Sequence, residues 1–216
     1  MLEGKIAKAL IRNEILRHID RDRHTLDLGC GKSPTTADFP SKVGLDVEDR
    51  ASVDVVGDAH ELPFEDAEFE QILCAEVLEH LHTPTQAVYE MARVLKPGGQ
   101  LILTVPFVYP VHEAPVDYQR FTEFGLKKLF GERGFEVTTV EALFNEWQTV
   151  GILIQRMAFQ SRMNAASRTL HQLAARFAFH VLGRRGLRRP FQNIARSEPG
   201  PFMSASYLVL AERKAD

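Results

Sequence analysis

Thr25-Leu26-Asp27-Leu28-Gly29-Cys30-Gly31 is a short apolar run that ends in an acidic residue and then a Gly-x-Gly turn. Such a run reads as a buried strand, and the glycines let the chain turn sharply and let a ligand approach the backbone. The third glycine of a dinucleotide fingerprint is absent, because Lys32-Ser33-Pro34 follows, and no Walker lysine-serine pattern is present. Downstream, Val43-Gly44-Leu45-Asp46 is a second run closing on a carboxylate. An acid there can accept hydrogen bonds from both hydroxyls of a ribose, or it can cap a helix. Gly57-Asp58-Ala59-His60-Glu61-Leu62-Pro63-Phe64 follows a third run, and Cys74-Ala75-Glu76-Val77-Leu78-Glu79-His80-Leu81 a fourth. Asp58 could accept from an adenine amino group, with Leu62 flanking the ring.

Working outward, apolar runs alternate with helical patterns. The runs are 25–28, 43–45, 54–56, 71–74, 100–105, 135–140 and 205–211. Helices are predicted over residues 5–19, with Ile6, Leu10, Ile11, Ile15 and Ile19 as the apolar stripe, and over 85–95, closed by the breaker Lys96-Pro97-Gly98-Gly99. Another is predicted over 122–133, with Thr122 as N-cap and Gly134 as its stop. This alternation predicts an α/β fold with a doubly wound, mostly parallel sheet. From about 146 to 182 the pattern is helical throughout. One stripe is Val150, Leu153, Ile154, Met157 and Ala158; the second is Leu170, Leu173, Ala174, Phe177, Ala178, Val181 and Leu182. The expectation is one domain over 1–216, carrying a helical, Arg-rich insertion over 146–200 that acts as a lid between the last two strands.

Composition bounds the function. The chain has 216 residues, a formal charge of −3, 44% hydrophobic and 25% charged residues. This is globular usage, with no general nucleic-acid-binding charge. Two cysteines, Cys30 and Cys74, exclude a disulfide framework or a cysteine zinc site, and a reducing, cytoplasmic location is expected. No uncharged apolar stretch is long enough to span a membrane. The charge is uneven: residues 151–196 hold nine Arg and no Lys, Asp or Glu. That segment reads as a solvated helix face, as an anionic membrane surface contact on the inner leaflet, or, less favoured, as an RNA contact.

Taken together, the runs L-D-L-G-C-G, G-L-D, G-D-A-H-E-L-P-F, A-E-V-L-E-H-L and Arg93-Val94-Leu95-Lys96-Pro97-Gly98-Gly99 resemble the class I S-adenosylmethionine-dependent methyltransferases, most closely the type-11 methyltransferase domain family. The resemblance implies a Rossmann-like seven-stranded sheet whose last strand is antiparallel. It implies S-adenosylmethionine as cofactor and S-adenosylhomocysteine as product. It places Asp27, Gly29 and Gly31 beside the methionine part, Asp46 at the ribose, Asp58 and Ala59 at the adenine, and Glu76 and His80 near the acceptor entrance.

The stretch 106–122 holds Tyr109, His112, Glu113, Asp117, Tyr118 and Arg120 among three prolines. So many functional side chains on a stiff loop suggest an acceptor site. It also resembles a P-x-H-x-x-P-x-D-Y-x-R-[FY]-T pattern in methyltransferases that accompany cell-surface glycan synthesis. His112 is the expected proton acceptor for a hydroxyl substrate, with Asp117 or Glu113 orienting it or acting in its place. Tyr109, Tyr118 and Arg120 are expected acceptor contacts, Arg120 through a carboxylate or phosphate. The same residues could instead brace the loop. The expected function is methyl transfer to oxygen of a small-molecule or lipid-linked acceptor, glycans included. The alternatives are a nicotinamide-dependent dehydrogenase, disfavoured by the missing glycine, and a non-catalytic S-adenosylmethionine-binding module acting through its basic segment. No metal-ligand cluster is legible, and the oligomeric state is left open.

Overall fold

The computed structural model describes residues 2–32, 34–183 and 203–215. The chain divides into two compact units: Arg12–Pro106, Val111–Glu141 and Tyr207–Asp216 form the larger, and Met1–Ile11, Phe107–Pro110 and Ala142–Ser206 the smaller.

Seven strands build one sheet: β1 (Thr25–Leu28), β2 (Lys42–Asp46), β3 (Val55–Val56), β4 (Phe69–Ala75), β5 (Leu95–Pro106), β6 (Phe135–Ala142) and β7 (Ser206–Arg213). Their order is β3-β2-β1-β4-β5-β7-β6. The pairs β1–β2, β1–β4, β2–β3 and β4–β5 are parallel, and β7 runs antiparallel between β5 and β6. Every residue of β1 is buried, as a strand covered on both faces must be. Phe69, Ile72, Leu73, Leu101, Ile102, Leu103, Leu208 and Val209 extend that core through the central strands.

Helix α1 (Leu2–His18) supplies Ile15, which is followed by Ile19, to the larger unit's core, whereas Leu10 is exposed. Helix α2 (Pro84–Val94) buries Ala87, Val88, Met91 and Val94 at helical spacing. Helix α3 (Glu123–Gly131) starts as expected: the Thr122 hydroxyl accepts from the Gly125 N–H at 3.1 Å, and Gly134 takes φ +84° beyond its end.

Three expectations need correction. Lys96-Pro97-Gly98-Gly99 does not separate helix from strand. It lies inside β5, where Leu95 pairs with Phe69 and Gln100 with Gln71, so the four residues form a bulge opposite Glu70. In the smaller unit, α4 (Glu146–Gln160) buries Gly151, Ile152, Gln155 and Ala158, while Met157 is exposed. Gly151 explains that rotation: a Cβ there would lie 2.8 Å from the Ala175 carbonyl and 2.9 Å from the Phe179 Cβ, so the helices meet at a residue without a side chain. Finally, α5 (Ala165–Arg176) and the π-helical segment Phe177–Leu182 bury Ala175, Ala178 and Phe179 and leave Leu170, Leu173, Phe177 and Val181 outside. Small residues permit the close packing, so the large apolar stripe is not the buried one. The part of the expected insertion from residue 184 to 200 lies outside the described residues.

Candidate active site

The strand order reverses between β1 and β4, which opens a crevice at the carboxyl ends of a doubly wound sheet. Because β1 to β4 are parallel, their carboxyl ends share one edge. Gly29 follows β1, Asp46 ends β2, Asp58 follows β3 and Glu76 follows β4. Gly29 and Gly31 sit at φ +70° and +61°, where a side chain is strained. A Cβ on Gly29 would come within 2.3 Å of Val77 Cγ2, so the β1 and β4 turns approach closely.

Asp46 is built in. Its Oδ2 accepts from the Gly31 N–H at 3.0 Å, its Oδ1 accepts from the Glu48 N–H at 3.0 Å, and Arg50 lies 3.5 Å away. A carboxylate has about four acceptor positions, so with these three donors one remains spare. Asp27 is buried and accepts from the Thr36 hydroxyl at 2.5 Å, bracing the turn; burial pushes its carboxyl up. Burial and the neighbouring carboxylates push the Cys30 thiol up to about 11, and Cys74 is fully buried and also raised, so neither offers a thiolate. After β3, Asp58 Oδ1 accepts from the His60 N–H at 2.9 Å and meets His60 Nδ1 at 2.6 Å. His60 Nε2 accepts from the Thr83 N–H at 3.2 Å, which fixes the proton on Nδ1. The ring stacks on His82 at 4.0 Å, and the neighbouring Ala59 and Leu62 are buried.

A second cluster gathers around a 3-10 turn, Leu78–His80. The segment after residue 110 is pinned to it: the Tyr118 and Gln119 N–H groups donate to the Glu79 carbonyl, and the Gln119 amide donates to the Leu81 carbonyl. This brings His112 to His80, with ring centroids 4.8 Å apart. Both Nε2 atoms lie 3.5 Å from Glu79 Oε1. His80 Nδ1 donates to the Val116 carbonyl at 2.8 Å, and His112 Nδ1 faces Asp117 Oδ2 at 3.1 Å. Arg120 grips Asp117 with both terminal nitrogens, at 2.5 and 2.7 Å, which holds that carboxyl well below the ordinary range. The Arg120 fork thus engages Asp117. Glu113 is largely exposed at φ +52°, 3.9 Å from His80.

Glu79 is the residue the sequence reading did not single out. It is fully buried, and among the described residues neither carboxylate oxygen meets a hydrogen-bond donor within bonding geometry. Glu76, also buried, has an Oε1 in the same condition and a backbone φ of +56°. Burial, with Glu79 close by, raises its carboxyl to about 8. Glu79, chiefly, raises the His112 imidazole, with Asp117 adding to it. Two acids three residues apart in Glu76-Val77-Leu78-Glu79 were the available signal. Glu79, His80 and His112 also bring one ligand atom each within 4.8 Å of one another, a set able to hold a divalent cation, which the sequence spacing concealed. Tyr118 is exposed. Tyr109 belongs to the smaller unit, where the Arg156 guanidinium lies 4.8 Å over its ring.

Residues 26–103 match the family model described as a methyltransferase domain. A probable S-adenosylmethionine-dependent methyltransferase of Mycolicibacterium smegmatis is 30% identical over 150 residues, 60% of this chain and 58% of that protein. The methyltransferase GfsG of Streptomyces halstedii is 34% identical over 100 residues, 36% of each chain. The chain spans between 29% and 58% of the length of the first curated relatives it matches. Among solved structures, the [4+2]-cyclase SpnF superposes with a TM-score of 0.62 at 20% identity, covering 95% of this chain and 80% of that one. A SAM-dependent methyltransferase of Thermotoga maritima does so at 0.60 and 18%, covering 95% and 89%. These likenesses concern the fold, which carries more than one chemistry. Residues 26–103 thus carry the sequence of a methyltransferase domain, and the seven-stranded sheet has the Rossmann-like order of the S-adenosylmethionine-dependent methyltransferases it resembles.

Proposed function

We propose that this chain transfers a methyl group from S-adenosylmethionine to a hydroxyl of a small-molecule or lipid-linked acceptor. The observation that carries this reading is the convergence of Gly29, Gly31, Asp46, Asp58 and Glu76 on one edge of the parallel sheet. The residues fit the cofactor: a turn where Gly29 and Gly31 carry no side chain, a spare acceptor position on Asp46, and a buried Glu76 oxygen without a donor among the described residues. The cofactor supplies an activated methyl on a cationic sulfonium. Asp46 would hold the ribose hydroxyls, Asp58 and Ala59 the adenine, and Glu76, as a carboxylate, a cationic group of the methionine part. Catalysis then reduces to placing an acceptor in line and accepting its proton. His112 is the proton acceptor in this reading, and Glu79 and Asp117 position it and stabilise the imidazolium that forms. Tyr118 lies on the same segment and would contact the acceptor.

The test is methyl transfer from radiolabelled S-adenosylmethionine into a cell extract separated into organic and aqueous fractions. Label that survives mild alkaline hydrolysis and is released as iodomethane by hot hydriodic acid supports a methyl ether, hence a hydroxyl acceptor. Label in the organic fraction supports a lipid-linked one. Cofactor binding without any label would instead favour the non-catalytic module. Activity should persist after exhaustive chelation; loss on chelation, restored by a divalent cation, would assign Glu79, His80 and His112 to a metal.

A further inference from the structure

We propose that the exposed face of α5 and the π-helical segment after it is a docking surface for an anionic lipid bilayer. Leu170, Leu173, Phe177 and Val181 follow one another at steps of three, four and four residues and are 66%, 57%, 55% and 42% exposed. They form a stripe along one side of the helix. The opposite side, Ala175, Ala178 and Phe179, is buried, and Gly151 of α4 meets it at close range. The helix therefore has its own packing face, and the larger apolar face is left over among the described residues.

Charge selects the occupant. Residues 151–196 carry nine Arg with no acidic residue, and Arg162, Arg168 and Arg176 lie exposed on or beside the helix. Two copies meeting through this face would bring like charges together with no acid in the segment to pair them. A bilayer with acidic headgroups supplies both an apolar layer for the stripe and counter-charge for the arginines, the combination that seats interfacial helices. No helix among the described residues is long and apolar enough to cross a membrane, so the contact is one of lying in the headgroup layer. The proposal stands independently of methyl transfer, since it is read by binding alone.

The experiment is co-sedimentation of the full chain with vesicles of phosphatidylcholine, with and without phosphatidylglycerol. Binding to the phosphatidylglycerol vesicles should exceed binding to phosphatidylcholine at least tenfold and fall with added salt. The double variant Leu170→Ser/Leu173→Ser should lose at least tenfold, and Arg162→Glu/Arg168→Glu should lose binding while melting as the parent does. Absent or lipid-independent binding by the parent overturns the proposal. So does a dimer dissociated by Leu173→Ser, which would make a second copy the occupant. A large drop in melting temperature in the serine variant would show that the chain covers the stripe itself, with the same consequence, and preferential retention on RNA would reassign the arginines.

Discussion

At residue scale, His112 is set by two carboxylates with different contacts. Glu79, beside its Nε2, raises the imidazole, and Asp117, beside Nδ1, adds to that and fixes the ring. A base works deprotonated, so methyl transfer should fall as pH drops through a value above the ordinary imidazole value of about 6.5. Glu79→Gln should move that acid limb to lower pH, and Asp117→Asn should move it less far; a pH–rate profile that stays in place in both would remove His112 from the proton transfer. Gly29 is the second decisive residue. Gly29→Ala adds a Cβ at φ +70° against Val77. It should lower stability by about 1–2 kcal/mol and cofactor affinity at least tenfold, read by thermal melting and calorimetry.

At the scale of elements, the contact of α4 with α5 rests on the absence of a side chain. Gly151→Leu would drive a large group into the Ala175 carbonyl and Phe179. Overpacking of this kind costs about 1–3 kcal/mol, so the melting of the smaller unit should fall measurably, while Gly131→Leu, with nothing near its Cβ position, should not have that effect. The strand and helix pattern was legible because each element's periodicity is local. The faces of α4 and α5 were not, because hydrophobicity alone ranks Leu and Phe as core. Close packing of two helices favours the small residues Gly151, Ala158, Ala175 and Ala178. The same limit applies to the β5 bulge: Pro97 and the two following glycines read as a breaker, but only pairing with β4 decides that the strand resumes around them.

For the whole molecule, two acids pull the pH dependence of stability in opposite directions. Glu90 on α2 accepts from the Leu62 N–H and pairs with Arg93, which holds its carboxyl below the ordinary range. A lowered folded value gives stability above the unfolded value of about 4.3, and that stability is lost as pH falls through the folded one. Glu76 has the reverse sign. Its folded value is raised to about 8, so stability is fully present below the unfolded value and declines as pH rises towards about 8. Glu90→Gln should therefore flatten the acid side of a melting-temperature profile, and Glu76→Gln should raise the melting temperature at pH 8 while leaving it near the parent's at pH 4. Equal effects of Glu76→Gln at both values would contradict its buried, charge-averse setting.

The sequence by itself determined the alternating architecture and the acidic, glycine-bearing edge of the sheet. Apolar runs closed or followed by Gly29, Asp46, Asp58 and Glu76 are short-range features, and a parallel sheet places such run ends side by side. Tertiary structure alone decided the network around Glu79. Glu79, His80, His112 and Asp117 become one network only when backbone bonds from 118 and 119 fasten the downstream segment onto the turn after β4. Tertiary packing also decided that the Leu170–Val181 stripe faces outward. Both outcomes depend on which distant surfaces meet, and a periodicity, being local, carries no record of its partner.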